Sequence, residues 1–444
     1  MIIKDRINHV DWLKFDKRIY KNSFYNILGF ITPLLFLLIF TPILIHKMGL
    51  ENYGLWTITT STIGLTGIAD FGISTMITKY IAENIADNDK NELSATIIIG
   101  FVAEIIFGII FLIILYYYAP NIANLFHSTS ILFTQIIQII KITSFGSIPY
   151  LLQAAANSIP QGLQRYDLSV YQSIGSQFLK YIAAIYIISV GGSIYQIILS
   201  TIIVLWIVCF ISWIIAIILI KSYFIKPKFV YSRQKNKLLY AFYSGLSGLG
   251  SAIFSYADKI MVASVLSFEA VSYYSIVIGI ATKILQLSGA ITASLMPATS
   301  IWNSKKNYKY IYNYFINFNF FIITLNIIIM LIMIIFSEKF LQLWMGANFT
   351  KIAIMPFKIL IIIYTIITLN TTSYHIANGM GYSNINAIFG IIGGLLTIGL
   401  IKIFGEIWGI NGAAMANIGY FITLFIPIII FIKLIYLNKS TLNT

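Results

Sequence analysis

Eight ionisable side chains lie inside long apolar runs of this 444-residue chain: Asp70, Glu104, Lys141, Lys180, Asp258, Lys259, Lys283 and Lys358. An ionisable group in hydrocarbon costs about 2.5–3.5 kcal/mol on insertion scales, so each should face a cavity or a partner. Five are basic and three acidic. A cavity with excess positive charge suits an anion such as phosphate or pyrophosphate, which Lys binds as a point charge. The lysines are therefore candidates for holding an anionic group. Asp70, Asp258 and Glu104 are candidates for linkage to a cation or proton.

The local setting separates these residues. Lys180 and Lys283 fall near the middle of their runs. Lys141 and Lys358 fall nearer one end, where a lysine can also snorkel to water. Asp258 and Lys259 are adjacent, so on a helix they point roughly 100° apart and each is expected to find its own partner. Glu104 lies closer to the inner end, where a structural ion pair is the equal alternative. Polar residues at helical spacing accompany the charges. One stripe holds Thr59, Thr62, Thr66 and Asp70, another Ser169, Ser173, Ser176, Gln177 and Lys180. A third holds Ser244, Ser247, Ser251, Ser255 and Asp258; Gln135, Gln138 and Lys141 are three apart, and Thr282, Lys283 and Gln286 cluster. The stripes predict a water-accessible cavity, with helix–helix packing through small residues as the competing reading.

The elements that carry these residues must be membrane spans. The chain is 59% hydrophobic and 10% charged, against roughly 25% charged residues in soluble proteins. A spanning helix needs about 20 mostly apolar residues. Twelve stretches qualify, near 23–46, 55–79, 95–118, 134–158, 168–190, 194–220, 238–266, 270–296, 311–336, 353–376, 383–404 and 410–436. The first is too long for a cleaved signal and is expected to remain. With both termini cytoplasmic, twenty Lys and Arg residues fall inside and four outside, as the positive-inside rule requires. That bias explains much of the +14 net charge through attraction to anionic lipid, without nucleic acid.

The chain also repeats itself. Shifted by 218 positions, Phe24-Tyr25-Asn26 meets Phe242-Tyr243-Ser244, and Glu51 through Trp56 meets Glu269 through Tyr274. Shifted by 217, Lys141 meets Lys358 and Gln161-Gly162-Leu163 meets Asn378-Gly379-Met380. The expected architecture is all-α, with twelve spans in two six-helix lobes related by a pseudo-two-fold along the membrane normal. Residues 1–220 form the first lobe, 221–237 a basic cytoplasmic linker and 238–444 the second lobe. Most of the buried charge is not duplicated: Lys180 meets Thr397, Lys259 meets Thr41 and Lys283 meets Leu65.

Three motifs carry a family resemblance. Met48-Gly49-Leu50-Glu51-Asn52-Tyr53-Gly54-Leu55-Trp56 leads to Asp70-Phe71-Gly72; Gln161-Gly162-Leu163-Gln164-Arg165-Tyr166-Asp167 follows the fourth run; Tyr256-Ala257-Asp258-Lys259 sits in the seventh. In span number and motif order the whole chain resembles the polysaccharide-transport branch of the multidrug/oligosaccharidyl-lipid/polysaccharide exporter superfamily, in particular the Wzx O-antigen flippases. The loop Asn378-Gly379-Met380-Gly381-Tyr382 departs from the pattern in lacking a basic residue.

The resemblance implies a flippase of the bacterial inner membrane. It would move undecaprenyl-pyrophosphate-linked oligosaccharide from the cytoplasmic to the periplasmic leaflet, for O-antigen or other surface polysaccharide. Lys180, Lys259, Lys283, Lys141, Lys358 and Arg165 would serve the anionic head group. No cofactor or metal is expected, and coupling to a proton or sodium gradient is. Beyond the cargo and membrane lipid, a polysaccharide polymerase and a chain-length regulator are the further partners to expect; nucleic acid is not.

Two other classes remain open. A drug or cation exporter of the related MATE type should have an acid-rich, aromatic site, which the lysines oppose. A membrane polymerase or ligase usually needs a large outside loop, and none is present here. No P-loop appears, His9, His46, His127 and His375 lack metal-ligand spacing, and the lone Cys209 lies in an apolar run. An enzyme is not expected.

Overall fold

A computed structural model describes residues 12–126, 130–221, 225–226, 231–293, 295–304, 306–421, 425 and 428–429. Lys4, Arg6, Lys433 and Lys439 of the expected terminal basic clusters, most of the end of the last span, and the side chains of Lys14, Lys17, Arg18, Lys21, Ser247 and Ser251 lie outside the described residues.

Among the described residues the chain is helical throughout, with no strand. Hydrocarbon cannot hydrogen-bond a peptide group, so a spanning chain must satisfy its backbone internally. The first half contains α1 (Trp12–Leu65), a 3-10 turn (Thr66–Asp70), α2 (Ile73–Ala86), α3 (Lys90–Tyr117), α4 (Ala119–Ala123), α5 (Ser130–Ser144), α6 (Ser147–Gly162), α7 (Tyr166–Ser189) and α8 (Ile194–Ile220). The second contains α9 (Tyr231–Ala252), a π-turn (Ile253–Ala257), α10 (Asp258–Val265), α11 (Phe268–Thr292), α12 (Leu295–Ser304), α13 (Tyr308–Met345), α14 (Ala347–Ile367), α15 (Leu369–Gly379) and α16 (Ser383–Met415). Residues 231–237, expected in the linker, are the first turns of α9.

Seven helical stretches among the described residues are long and apolar enough to cross a membrane, fewer than the twelve runs read from hydropathy. Breaks account for part of the difference. α1 breaks at Gly49 (φ 80°, ψ 163°), so it comprises two helices that belong to two runs. The run at 55–79 is interrupted at 66–72, and the one at 238–266 by the π-turn. Caps set the other ends: Asp89 accepts from Glu92 N at 3.0 Å, Ser267 from Ala270 N at 3.1 Å, and Ser193 forms a capping box with Gln196.

The two halves meet at both ends of the bundle. At one end the Ser272 hydroxyl donates to the Leu50 carbonyl and Trp344 Nε1 donates to Leu38 O at 2.7 Å. At the other, Lys-rich end, Lys237 Nζ on α9 donates to Glu92 Oε2 at 2.6 Å and to Thr96 Oγ1 at 2.7 Å on α3. Gln234 Nε2 adds a bond to the same carboxylate at 3.1 Å, and Arg233 approaches it at 3.5 Å. Nearby, α2 and α9 touch backbone to backbone. Gly72 holds φ 76°, and a Cβ there would sit 2.2 Å from the Ala241 carbonyl oxygen. No side chain fits, and the left-handed conformation favours glycine anyway.

Candidate functional site

Between these ends lies a cavity of about 290 Å³. The first half supplies Thr57, Thr60, Ser61 and Gly64 from α1, Tyr150 from α6, Lys180 from α7 and Thr201 from α8. The second supplies Tyr256 from the π-turn and Lys259 from α10. Gly64 permits this closure, since a Cβ would lie 2.5 Å from the Tyr256 ring. None of the lining residues is acidic. Beside Lys180, Tyr181 stacks on Phe40 at 5.0 Å and meets Trp56 edge-on at 5.7 Å; Trp56 Nε1 donates to Thr201 Oγ1 at 3.1 Å. Two lysines from opposite halves thus share a small polar chamber with aromatic walls, an arrangement that can hold an anion.

The lysine of this motif does not behave as its helical position implied. Asp258 and Lys259 were expected to take separate partners. Instead Lys259 Nζ donates to Ser255 O at 2.6 Å and lies 3.4 Å from Asp258 Oδ1. The long side chain folds back along its own helix, which the backbone angle between neighbours does not forbid. Asp258 is buried, and its other oxygen accepts from Tyr274 OH at 3.0 Å. That hydroxyl accepts from Asn417 Nδ2 at 3.0 Å, and Tyr364 OH reaches Asn417 Oδ1 at 3.4 Å.

The other candidates lie apart from the chamber. Lys283 Nζ donates to Gln286 Oε1 at 2.9 Å and sits over the Phe30 ring of α1 at 5.6 Å. Lys141 lies over the Tyr116 ring at 5.1 Å, and Lys358 is half-buried on α14. Arg165, between α6 and α7, is gripped by Asp167 through Nε at 2.9 Å and Nη2 at 2.9 Å. That carboxylate holds the Arg165 pKa above its ordinary value.

The acids form a second centre. Asp70 Oδ1 accepts from Ser74 N at 2.9 Å and Ser74 Oγ at 2.7 Å, capping α2 where the helix restarts. Glu104 on α3 is fully buried and its oxygens find no donor; they face the Asp70 carboxyl. The 3-10 turn that carries Asp70 packs on α3 and α6, and Phe71 meets Phe107 at 5.2 Å. Tyr150 and Tyr256, whose hydroxyls interact, link this pair to the chamber.

Of the polar stripes, those on α5 and α11 do not line the chamber, and on α1 its lining differs from the stripe. Thr59 and Thr66 are buried and bond back to Leu55 O and Ile63 O, whereas Thr57, Thr60 and Ser61 line the chamber. Ser244 donates to Ala241 O and lies 3.5 Å from Gly72 O in the contact between halves, the packing reading. Tyr150 was not singled out in sequence; an isolated aromatic in an apolar run carries no positional signal.

Comparison with known proteins follows the same outline. The family model described as polysaccharide biosynthesis protein matches residues 19–302. A Shigella flexneri protein named as an O-antigen transporter is 22% identical over 90% of this chain and 94% of its own. A membrane protein of Methanocaldococcus jannaschii is 26% identical over 83% of this chain and 76% of its own. In three dimensions the chain resembles an inward-facing multidrug resistance MATE transporter of the MOP superfamily, with TM-score 0.76 and 14% identity over 91% of this chain and 96% of that one. It also resembles the lipid II flippase MurJ, with TM-score 0.70 and 19% identity over 92% of this chain and 87% of that one. The Shigella protein, the MATE protein and MurJ are named as transporters or flippases, not as catalysts. A multi-span helical chain with this fold and this family match belongs to the polysaccharide biosynthesis protein family and has the transporter fold of the MOP superfamily.

Proposed function

We propose that this protein flips undecaprenyl-pyrophosphate-linked oligosaccharide from the cytoplasmic to the periplasmic leaflet of the bacterial inner membrane. The observation that carries the reading is the shared chamber of Lys180 and Lys259, one lysine from each half. A pyrophosphate held between them would bias the contact between the halves, which is what alternating access requires. The lipid tail would stay in the bilayer while the halves rock about the pseudo-axis. Lys283, over Phe30 in the α1–α11 contact, would meet the head group on its way in. Lys141, Lys358 and Arg165 lie off this path in the closed arrangement and would act, if at all, when it opens.

Asp70 with Glu104, and Asp258 with its tyrosine network, are the sites proposed for ion linkage. A buried carboxyl facing a half-buried one can share and exchange one proton, and the Asp70 pair sits at a helix break that could move with it. Drug or cation export is the second reading, favoured by the fold likeness to MATE transporters. The chamber's lysines and its lack of acids oppose it.

The test is Lys180→Ala at matched membrane levels. Surface polysaccharide should fall at least ~10-fold if a charge-assisted contact of about 1.5–3 kcal/mol is lost. Unchanged polysaccharide ends the head-group role for Lys180. Normal polysaccharide with altered drug sensitivity in a deletion strain would favour the exporter.

A further inference from the structure

A second cavity, of about 520 Å³, lies in the second half. Its polar lining comes from Asn370, Thr371, Tyr374, His375, Asn378 and Asn386 on α15, its flank and α16. No Lys, Arg, Asp or Glu lines it. We propose that this cavity binds the uncharged sugar portion of the cargo while the lysine chamber holds the pyrophosphate. The proposal rests on the flippase reading above.

Four observations carry it. First, Asn370 is 5% exposed and its Oδ1 has no hydrogen-bond partner, although it lines an open cavity. A buried amide left this way marks a place for a donor from a ligand or ordered water. Second, the amides are already oriented: Asn386 Nδ2 donates to Tyr374 O at 3.1 Å and to Asn378 Oδ1 at 2.9 Å. Primary amides both donate and accept, which suits neighbouring hydroxyls of a sugar ring. Phe254 and Tyr420, also on the wall, supply apolar ring surface for its C–H faces. Third, the absence of charge disfavours both a phosphate and a drug cation, and the volume is far larger than a single ion needs.

Fourth, the two cavities share a wall. The π-turn Ile253–Ala257 presents Phe254 and Ser255 to the second cavity and Tyr256 to the lysine chamber. The Ser255 carbonyl accepts directly from Lys259 Nζ at 2.6 Å. π-turns recur at functional sites because they redirect side chains within one helix. A sugar joined through pyrophosphate needs two such compartments side by side, because a chamber of about 290 Å³ holds little more than the head group.

The experiment uses the full-length protein in lipid nanodiscs with two probes. One is undecaprenyl pyrophosphate; the other is the undecaprenyl-pyrophosphate-linked oligosaccharide extracted from the source cells. Wild type should bind the glycosylated lipid at least ~10-fold more tightly, the discrimination expected of polar groups built to meet hydroxyls. Asn370→Leu should reduce that preference to less than ~3-fold and leave affinity for the bare lipid unchanged. Thr371→Val is the milder second variant should Asn370→Leu fold poorly, and it should shift the same ratio. Lys180→Ala should weaken both probes equally. Equal binding of the probes by wild type, or an undiminished preference in both cavity variants, overturns this proposal alone. If Lys180→Ala is silent while Asn370→Leu erases the preference, the sugar site stands and the head-group assignment falls. Failure of wild type to bind either lipid overturns the flippase reading and this site with it.

Discussion

At the residue scale, the buried charges divide by what surrounds them. Lys180 and Lys259 line the chamber, Lys259 while ion-paired with Asp258 at 3.4 Å, and Glu92 and Lys237 satisfy one another at the Lys-rich end. Both members of the second pair are nearly inaccessible. Removing one partner of a buried ion pair strands the other, at about 3–5 kcal/mol. Glu92→Ala is therefore expected to lower thermal stability sharply. Glu92→Ala with Lys237→Ala should recover part of the loss, as unfolding in nanodiscs would measure. A double variant no better than the single would mean that Glu92 acts through Gln234 and Arg233 instead. This pair was not legible in sequence: its members are 145 residues apart and Lys237 read as one more basic linker residue. The mid-span lysines were legible because hydrocarbon makes any charge conspicuous. Their grouping was not, since pairing Lys180 with Lys259 depends on how α7 meets α10.

At the element scale, the candidate sites gather where helices fail to continue. The 3-10 turn brings Asp70 against Glu104, and the π-turn divides two cavities. Hydropathy passes over such breaks, because an interrupted helix is as apolar as a continuous one. That is why the run at 55–79 read as a single span with one polar stripe. Glycines give a firmer signal. Gly64→Ala should push Tyr256 out of the chamber wall and lower transport several-fold with little loss of folded protein, as polysaccharide and membrane abundance together would report. Gly72→Ala carries an added backbone penalty of about 1 kcal/mol or more from its positive φ. It should lower stability as well as transport. Equal loss of folded protein in both variants would assign Gly64 to packing alone. The Asn370-Thr371-Thr372-Ser373 run is the sequence trace of the second cavity: four polar residues inside an apolar span.

At the scale of the molecule, the halves touch at both ends, and both line the polar chamber that lies between those contacts. On the proposed mechanism, rocking releases one end at a time. A cysteine pair at Leu50 and Ser272, whose backbone and side chain already meet, should block transport when oxidised and restore it on reduction. The single native Cys209 is buried in α8 and can be replaced first, so that any bridge is unambiguous. Undiminished transport by the oxidised pair would remove rocking at that end. The duplication of the chain supports such a motion, while the unduplicated lysines give the two halves different duties: the first half brings one cation to the chamber, the second brings another together with a neutral pocket.

Contact at both ends has an electrical meaning. A cell that makes this protein keeps its membrane potential only if no moment joins the chamber to water on the two sides at once. On the proposed mechanism, the Glu92–Lys237 contact and the Leu50–Ser272 contact would act as two switches in series. Each can open without discharging the membrane. Loss of both together would turn a slow carrier into a conducting path.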